Sequence, residues 1–148
     1  MKRIVFILGL LLCLAPVSAQ AWMVGGYGNW ATVGMQITND ISGYLGYSGY
    51  TYGGGAAAEN DYLVKADYNL WKLRDVQTKV GLDYRAWTYS YSGANSNLID
   101  LTVGASVMIT KNLSVGGDVI LASLGHSEYS GALTYILPGT FMSIQLYF

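Results

Sequence analysis

The chain has 148 residues, of which 52% are hydrophobic and 11% are charged, whereas a soluble domain carries roughly 25% charged residues. Eight Lys and Arg against nine Asp and Glu give a formal net charge of −1. This balance leaves no excess of positive charge, so nucleic acid is not an expected partner.

The first 21 residues are typical of a secretory signal peptide. Lys2 and Arg3 precede an apolar run over residues 4–14, and small residues before and at Ala21 offer a cleavage site. The run is shorter than the ~20 apolar residues of a membrane-spanning helix. Cleavage would leave a single domain over residues 22–148. Without Lys2 and Arg3 that domain keeps six basic residues, and it contains no cysteine because the only one lies in the signal.

The remaining sequence predicts β-strands, because apolar and polar residues alternate along it with a period of two. A lead-in segment at 22–28 could form an additional strand. Eight candidate strands follow, over residues 31–37, 41–52, 62–71, 76–86, 97–109, 113–121, 128–137 and 141–148.

Turn-forming residues separate these strands, and the connections differ in length. The short ones are predicted at Asn39–Asp40, Leu73–Asp75, Lys111–Asn112 and Pro138–Gly139. Longer ones fall at residues 53–61, 92–97 and 123–128. With a turn at Pro138–Gly139, all the short turns would lie at the end of the molecule opposite Phe148.

Within each predicted strand between residues 62 and 121, the charged residues lie on one face and most apolar residues lie on the other. A soluble two-sided sheet would give the same alternation. However, the chain has few charges, and its polar positions are rich in Gly, Ser, Thr and Asn, which suit a narrow interior. Sheets in lipid must close so that every backbone group is paired, and eight strands make the smallest such barrel. The sequence therefore predicts an all-β fold: a closed antiparallel up-and-down transmembrane β-barrel of about eight strands.

Aromatic residues cluster toward the predicted strand ends, where interfacial girdles lie in membrane barrels. Ordinary strand propensity is the alternative explanation, since Tyr and Trp favour sheets. The residues are Trp22, Trp30, Tyr52, Trp71, Trp87, Tyr89, Tyr91, Tyr129, Phe141 and Phe148.

The signal peptide, the cysteine-free alternating strands and the final "SIQLYF" resemble a small bacterial outer-membrane β-barrel protein. The resemblance covers residues 22–148 as a pattern, and it implies an outer-membrane location, lipid contact and recognition by the barrel assembly machinery. The assembly signal of that family is an alternating last strand with a terminal aromatic residue, which Met142, Ile144, Leu146 and Phe148 match. A glycine usual in that signal is missing here.

A polar network filling the lumen is predicted from the charged residues on the inward parity, because eight strands leave a bore that side chains can fill. The expected role is structural or interaction-based, with a selective ion path as the alternative. The residues are Lys65, Asp67, Lys79, Asp83, Arg85, Asp100 and Asp118.

An enzymatic alternative rests on the segment containing His126, Ser127 and Glu128. These residue types resemble the triad of outer-membrane lipid A deacylases, but the family spaces its His and Ser two apart on one face, whereas here they are adjacent. A solvated loop is the preferred interpretation, so no catalytic role is assigned. A third hypothesis is a soluble periplasmic barrel that binds an apolar ligand. One histidine and no cysteine after the signal argue against the common zinc sites, and no cofactor is expected.

Overall fold

A computed structural model describes residues 21–52, 57–89, 94–128 and 131–148. Residues 1–20 of the proposed signal peptide lie outside these ranges, and its last residue, Ala21, begins the first strand. Eight strands make up the described chain, and no helix within it is long and apolar enough to cross a membrane. The strands are β1 (Ala21–Tyr27), β2 (Trp30–Gln36), β3 (Ile41–Tyr52), β4 (Ala57–Leu73), β5 (Val76–Tyr89), β6 (Asn95–Thr110), β7 (Leu113–Ser127) and β8 (Gly131–Tyr147).

Each strand pairs antiparallel with its neighbour in the chain, and β1 pairs with β8, so the sheet closes. Closure means that no strand is left wholly at an edge, where unpaired backbone groups would need another partner. The predicted fold class, a closed antiparallel barrel of eight strands, is confirmed.

The predicted turn at Pro138–Gly139 is wrong, because β8 runs through it as one strand of 17 residues. The predicted lead-in is a full strand, β1, which restores the count to eight. Gly139 pairs with Ile120, and Ile136 pairs with Ala122. The β7–β8 register therefore shifts at Pro138, which lies between them. This part of β8 also has no β1 partner. Proline has no N–H to donate and is tolerated at such irregular or unpaired positions.

The continuous β8 changes which connections share an end of the barrel. Ala21 and Phe148 lie at the same end as the turns that join β2 to β3, β4 to β5 and β6 to β7. We call this the terminal end. The β1–β2 turn at Gly28 lies at the opposite, distal end, as do the strand ends that lead into residues 53–56, 90–93 and 129–130. The three correctly predicted short turns therefore share the terminal end with Phe148.

Alternate residues face the lumen and the outside, and the outside is the apolar face. Asp83 in β5 is 1% exposed, whereas its neighbour Leu82 is 58% exposed. In β6, Asp100 is fully buried while Ile99 is 54% exposed. Register irregularities interrupt the alternation in β4 between Asn69 and Trp71, and in β7 between Ile120 and Ala122. This barrel is thus polar inside and apolar outside.

Candidate functional site: the charged lumen

Lys65 lies at the centre of the lumen and contacts three carboxylates. Its Nζ is 2.9 Å from Asp67 Oδ1, 2.7 Å from Asp83 Oδ1 and 3.0 Å from Asp118 Oδ2. Asp83 is directly opposite Lys65 across the β4–β5 pair, and Asp118 comes from β7 on another wall of the barrel. All four side chains are at most 2% exposed. The ammonium ion therefore links three strands through charge-assisted contacts.

A second ammonium ion, from Lys79, lies on the terminal side of the same group. Its Nζ is 2.8 Å from Asp67 Oδ2 and 3.2 Å from Asp118 Oδ1. Two cations thus face three carboxylates, and one neutral donor and one neutral acceptor add hydrogen bonds to the group. Tyr27 Oη donates to Asp83 Oδ2 at 2.9 Å, and Lys65 Nζ donates to Thr102 Oγ1 at 3.2 Å. Buried charges are tolerated only when they are paired in this way.

Gly81 provides the space in which this group of ions fits. It lies opposite Asp67 on one side and opposite Thr102 on the other. A Cβ atom at this position would be 2.3 Å from Asp67 Oδ1, 2.6 Å from Thr102 Oγ1 and 2.9 Å from Lys65 Nζ. Glycine is therefore required by the close approach of the ion pairs, not by the backbone conformation.

A second ion pair, between Arg85 and Asp100, lies nearer the distal end. The Arg85 guanidinium group makes a bidentate contact, in which Nη2 donates to Asp100 Oδ1 at 3.0 Å and Nε donates to Asp100 Oδ2. Ser123 Oγ also donates to Asp100. The guanidinium carbon lies 5.3 Å from the centre of the Phe141 ring, in a cation–π arrangement. Asp100 is therefore held by two neighbouring strands.

Aromatic rings separate the two groups of ions. Tyr27, Trp30 and Phe141 have ring centres 5.1–6.3 Å apart, and buried Leu63 packs with them. The Tyr27 ring also lies 4.7 Å from Lys65 Nζ. Apolar packing thus covers the distal side of the Lys65 group.

The placement of Trp30 and Phe141 corrects the girdle prediction for these two residues. Both side chains pack into the lumen, because their positions in β2 and β8 face inward. Trp30 is only 6% exposed. Trp22, Trp71 and Phe148 are exposed, as an outward girdle requires. The side chains of Tyr52, Tyr91 and Tyr129 lie outside the described residues.

Polar, uncharged side chains line the lumen on the terminal side of Lys79. Among them are Gln36, Ser42, Ser106 and Gln145, and they surround a cavity of about 40 Å³. A cavity of that size holds only a few water molecules. The lumen is therefore filled largely by its own side chains.

The residues of the enzymatic alternative are not brought together. His126 is exposed, whereas Ser127 is buried and its Oγ accepts a hydrogen bond from Ser96 Oγ at 2.9 Å. Glu128 Oε2 accepts from the backbone N–H of Asn95 at 2.8 Å. A nucleophile and its base must lie within hydrogen-bonding reach, and adjacent strand residues point to opposite faces. Within the described ranges, no group of three or more His, Cys, Asp or Glu side chains could hold a metal ion.

The neutral members of the network were not predicted from the sequence. Thr102 shares the inward parity of Asp100, so its position was available from the alternation. Tyr27 and Ser123 depend on tertiary structure, because Tyr27 belongs to the lead-in strand and Ser123 follows the irregularity in β7. No protein-family model and no curated protein matches the chain. Function is therefore inferred from the barrel and its lumen alone.

Proposed function

We propose that this chain is a small bacterial outer-membrane β-barrel protein with a structural or interaction role and a lumen closed by its own side chains. The observation that carries the proposal is the reversed distribution of polarity. Lys65, Asp83 and Asp118 are almost completely buried, while Leu82, Leu124 and Met142 are among many large apolar residues facing outward. In water this arrangement would expose an apolar surface far larger than soluble monomers show.

The outward apolar surface has the height of a bilayer core. In β6, outward-facing residues are apolar from Ile99 to Ile109, a distance of ten residues. At ~3.4 Å per residue and a tilt of about 40°, this run spans roughly 25 Å along the barrel axis. Beyond it at the distal end, the corresponding outward positions are Asn97 and Asn95. A hydrocarbon layer of the usual thickness would cover the apolar run and stop at the amides.

A structural or interaction role fits the filled lumen better than transport. Eight strands leave an interior that side chains can fill, and here ion pairs and aromatic rings occupy it. Salt bridges from Lys65 join β4, β5 and β7, so these ion pairs connect strands on different sides of the barrel. The parts left for contact with partners are the outer surface and the two ends.

The last strand supports recognition by the barrel assembly machinery. Met142, Ile144, Leu146 and Phe148 all face outward and are 46–75% exposed. The intervening Ser143 and Gln145 are buried toward the lumen, so the apolar row is presented on one face. Such a row is available to membrane lipid after insertion and to an assembly factor before it.

Membrane fractionation combined with gel migration tests this proposal. The full chain is expressed in a Gram-negative host, and outer-membrane, inner-membrane and soluble fractions are compared by gel electrophoresis with and without boiling. We expect the protein in the outer membrane and a folded form that migrates faster before boiling than after. Recovery as a folded protein in the soluble periplasm without detergent would refute the proposal and favour a soluble barrel that binds an apolar ligand.

A further inference from the structure

The six basic residues of the barrel occupy two places only. Lys65, Lys79 and Arg85 are in the lumen, and the other three lie at the terminal end: Lys72 near the end of β4, Arg74 in the β4–β5 turn and Lys111 in the β6–β7 turn. The sequence of the distal connections contains no Lys or Arg, and Glu59 and Glu128 lie near that end. The two ends of the barrel therefore differ in charge.

The two basic turns are held side by side. The backbone N–H of Met108 donates to the carbonyl of Asp75 at 2.9 Å, which ties the β6–β7 hairpin to the β4–β5 turn. Because of the register irregularity in β4, Lys72 lies opposite Gln77. Lys72 and Lys111 consequently line one open cavity of about 680 Å³ at the mouth of the barrel.

Exposed apolar side chains adjoin these cations on the outer surface. Trp71 is 63% exposed, Leu73 56% and Ile109 59%. Lys72 and Lys111 are exposed as well. Aromatic and apolar groups beside basic side chains are typical of surfaces that lie at the boundary between hydrocarbon and lipid headgroups.

We propose that this basic surface, consisting of Lys72, Arg74 and Lys111, binds anionic phospholipid headgroups of the leaflet at the terminal end. The inference rests on the proposed membrane location and adds a lipid preference and a leaflet. Asp40 and Asp75 lie at the same end, so three basic side chains there stand against two acidic side chains. Trp71 places these cations at headgroup depth. There a basic residue attracts anionic lipid, and salt weakens this attraction.

Reconstitution into vesicles tests the preference. Protein purified in zwitterionic detergent after expression of the full chain is transferred to vesicles of phosphatidylcholine, or of phosphatidylcholine mixed with phosphatidylglycerol. The midpoint of thermal unfolding is read from heat-modifiable gel migration at low and high salt. We expect phosphatidylglycerol to raise the midpoint by about 5 °C or more at low salt, and we expect high salt to reduce this rise.

The triple variant Lys72→Gln, Arg74→Gln and Lys111→Gln should lose the rise, while Glu128→Gln, a charge change at the distal end, should keep it. An equal rise in the triple variant and the wild type would overturn the inference. So would an equal rise on adding inorganic phosphate to the phosphatidylcholine vesicles, since the site would then bind free anions. If neither vesicle takes up the folded barrel, the proposed membrane location itself fails, which is a different result.

Discussion

Replacing Gly81 by alanine should disrupt the ion pairs of the lumen without altering any charge. The added methyl group would lie 2.3 Å from Asp67 Oδ1 and 2.9 Å from Lys65 Nζ. All three of its nearest neighbours are side-chain atoms of the network, so the backbone has no reason to move first. Asp67 must then swing away from Lys65 and Lys79, because no carbon atom can remain so close to a carboxylate oxygen.

The expected loss of stability follows from the pairs that would break. Removing one partner from a buried ion pair costs about 3–5 kcal/mol, because a charge is left without compensation. Asp67 can relax by rotating its side chain, so we expect the free energy of unfolding to fall by about 2–3 kcal/mol in Gly81→Ala. Gly139→Ala is the matched control, because a Cβ at Gly139 meets no atom within 4 Å. A change within about 0.5 kcal/mol is expected there.

The assay is urea unfolding of the barrel in phosphatidylcholine vesicles, followed by heat-modifiable migration. A double mutant identifies the cause: in an Asp67→Ala background the oxygen nearest the added methyl group is absent, so Gly81→Ala should then cost less, although the close approaches to Thr102 Oγ1 and Lys65 Nζ remain. Non-additivity of this kind is the signature of residues in contact. If Gly81→Ala and Gly139→Ala unfolded at the same urea concentration, the ion pairs around Gly81 would not be tightly packed.

Three further predictions concern the lumen, the last strand and the distal surface. Lys65→Met leaves its carboxylate partners with less charge compensation and should lower the free energy of unfolding by about 3–5 kcal/mol. Lys111→Met on the surface should change that free energy by about 0.5 kcal/mol or less in phosphatidylcholine vesicles. Urea titration measures both variants, and equal effects would contradict the central role of Lys65. Phe148→Ala should slow the appearance of the fast-migrating form in cells by pulse labelling, while Ile136→Ala, an outward residue of the same strand, should not; equal rates would exclude a signal at the chain end. His126→Ala should leave the acylation of membrane lipids unchanged by mass spectrometry, and a difference from wild type would restore the enzymatic alternative.

Several features of the barrel could be predicted from the sequence because they depend on neighbouring residues only. Alternation has a period of two, so Lys65, Asp83 and Asp118 could be assigned to one face without knowledge of the sheet. The scarcity of charge and the small polar residues on that face indicated that it points inward. The short turns at Asn39–Asp40 and Lys111–Asn112 are likewise local, because their residues favour tight reversals.

The errors occurred where strand pairing overrides local preference. Pro138 and Gly139 form a typical turn sequence, but β8 continues through them because β7 pairs with it on both sides of the register shift. Trp30 and Phe141 have aromatic side chains suited to a girdle, but their register turns them toward Tyr27.

The chemistry of the lumen was decided by tertiary structure. The inward parity placed seven charged residues in the lumen, but which carboxylates meet which cation depends on the stagger of the whole barrel. Only closure of β1 on β8 brings Tyr27 to Asp83, 56 residues away in the chain. Alternation is a property of one strand, whereas a contact across the lumen requires every register around the ring to be set. The sequence by itself therefore determined that these charged side chains face inward, and the closed sheet determined their partners.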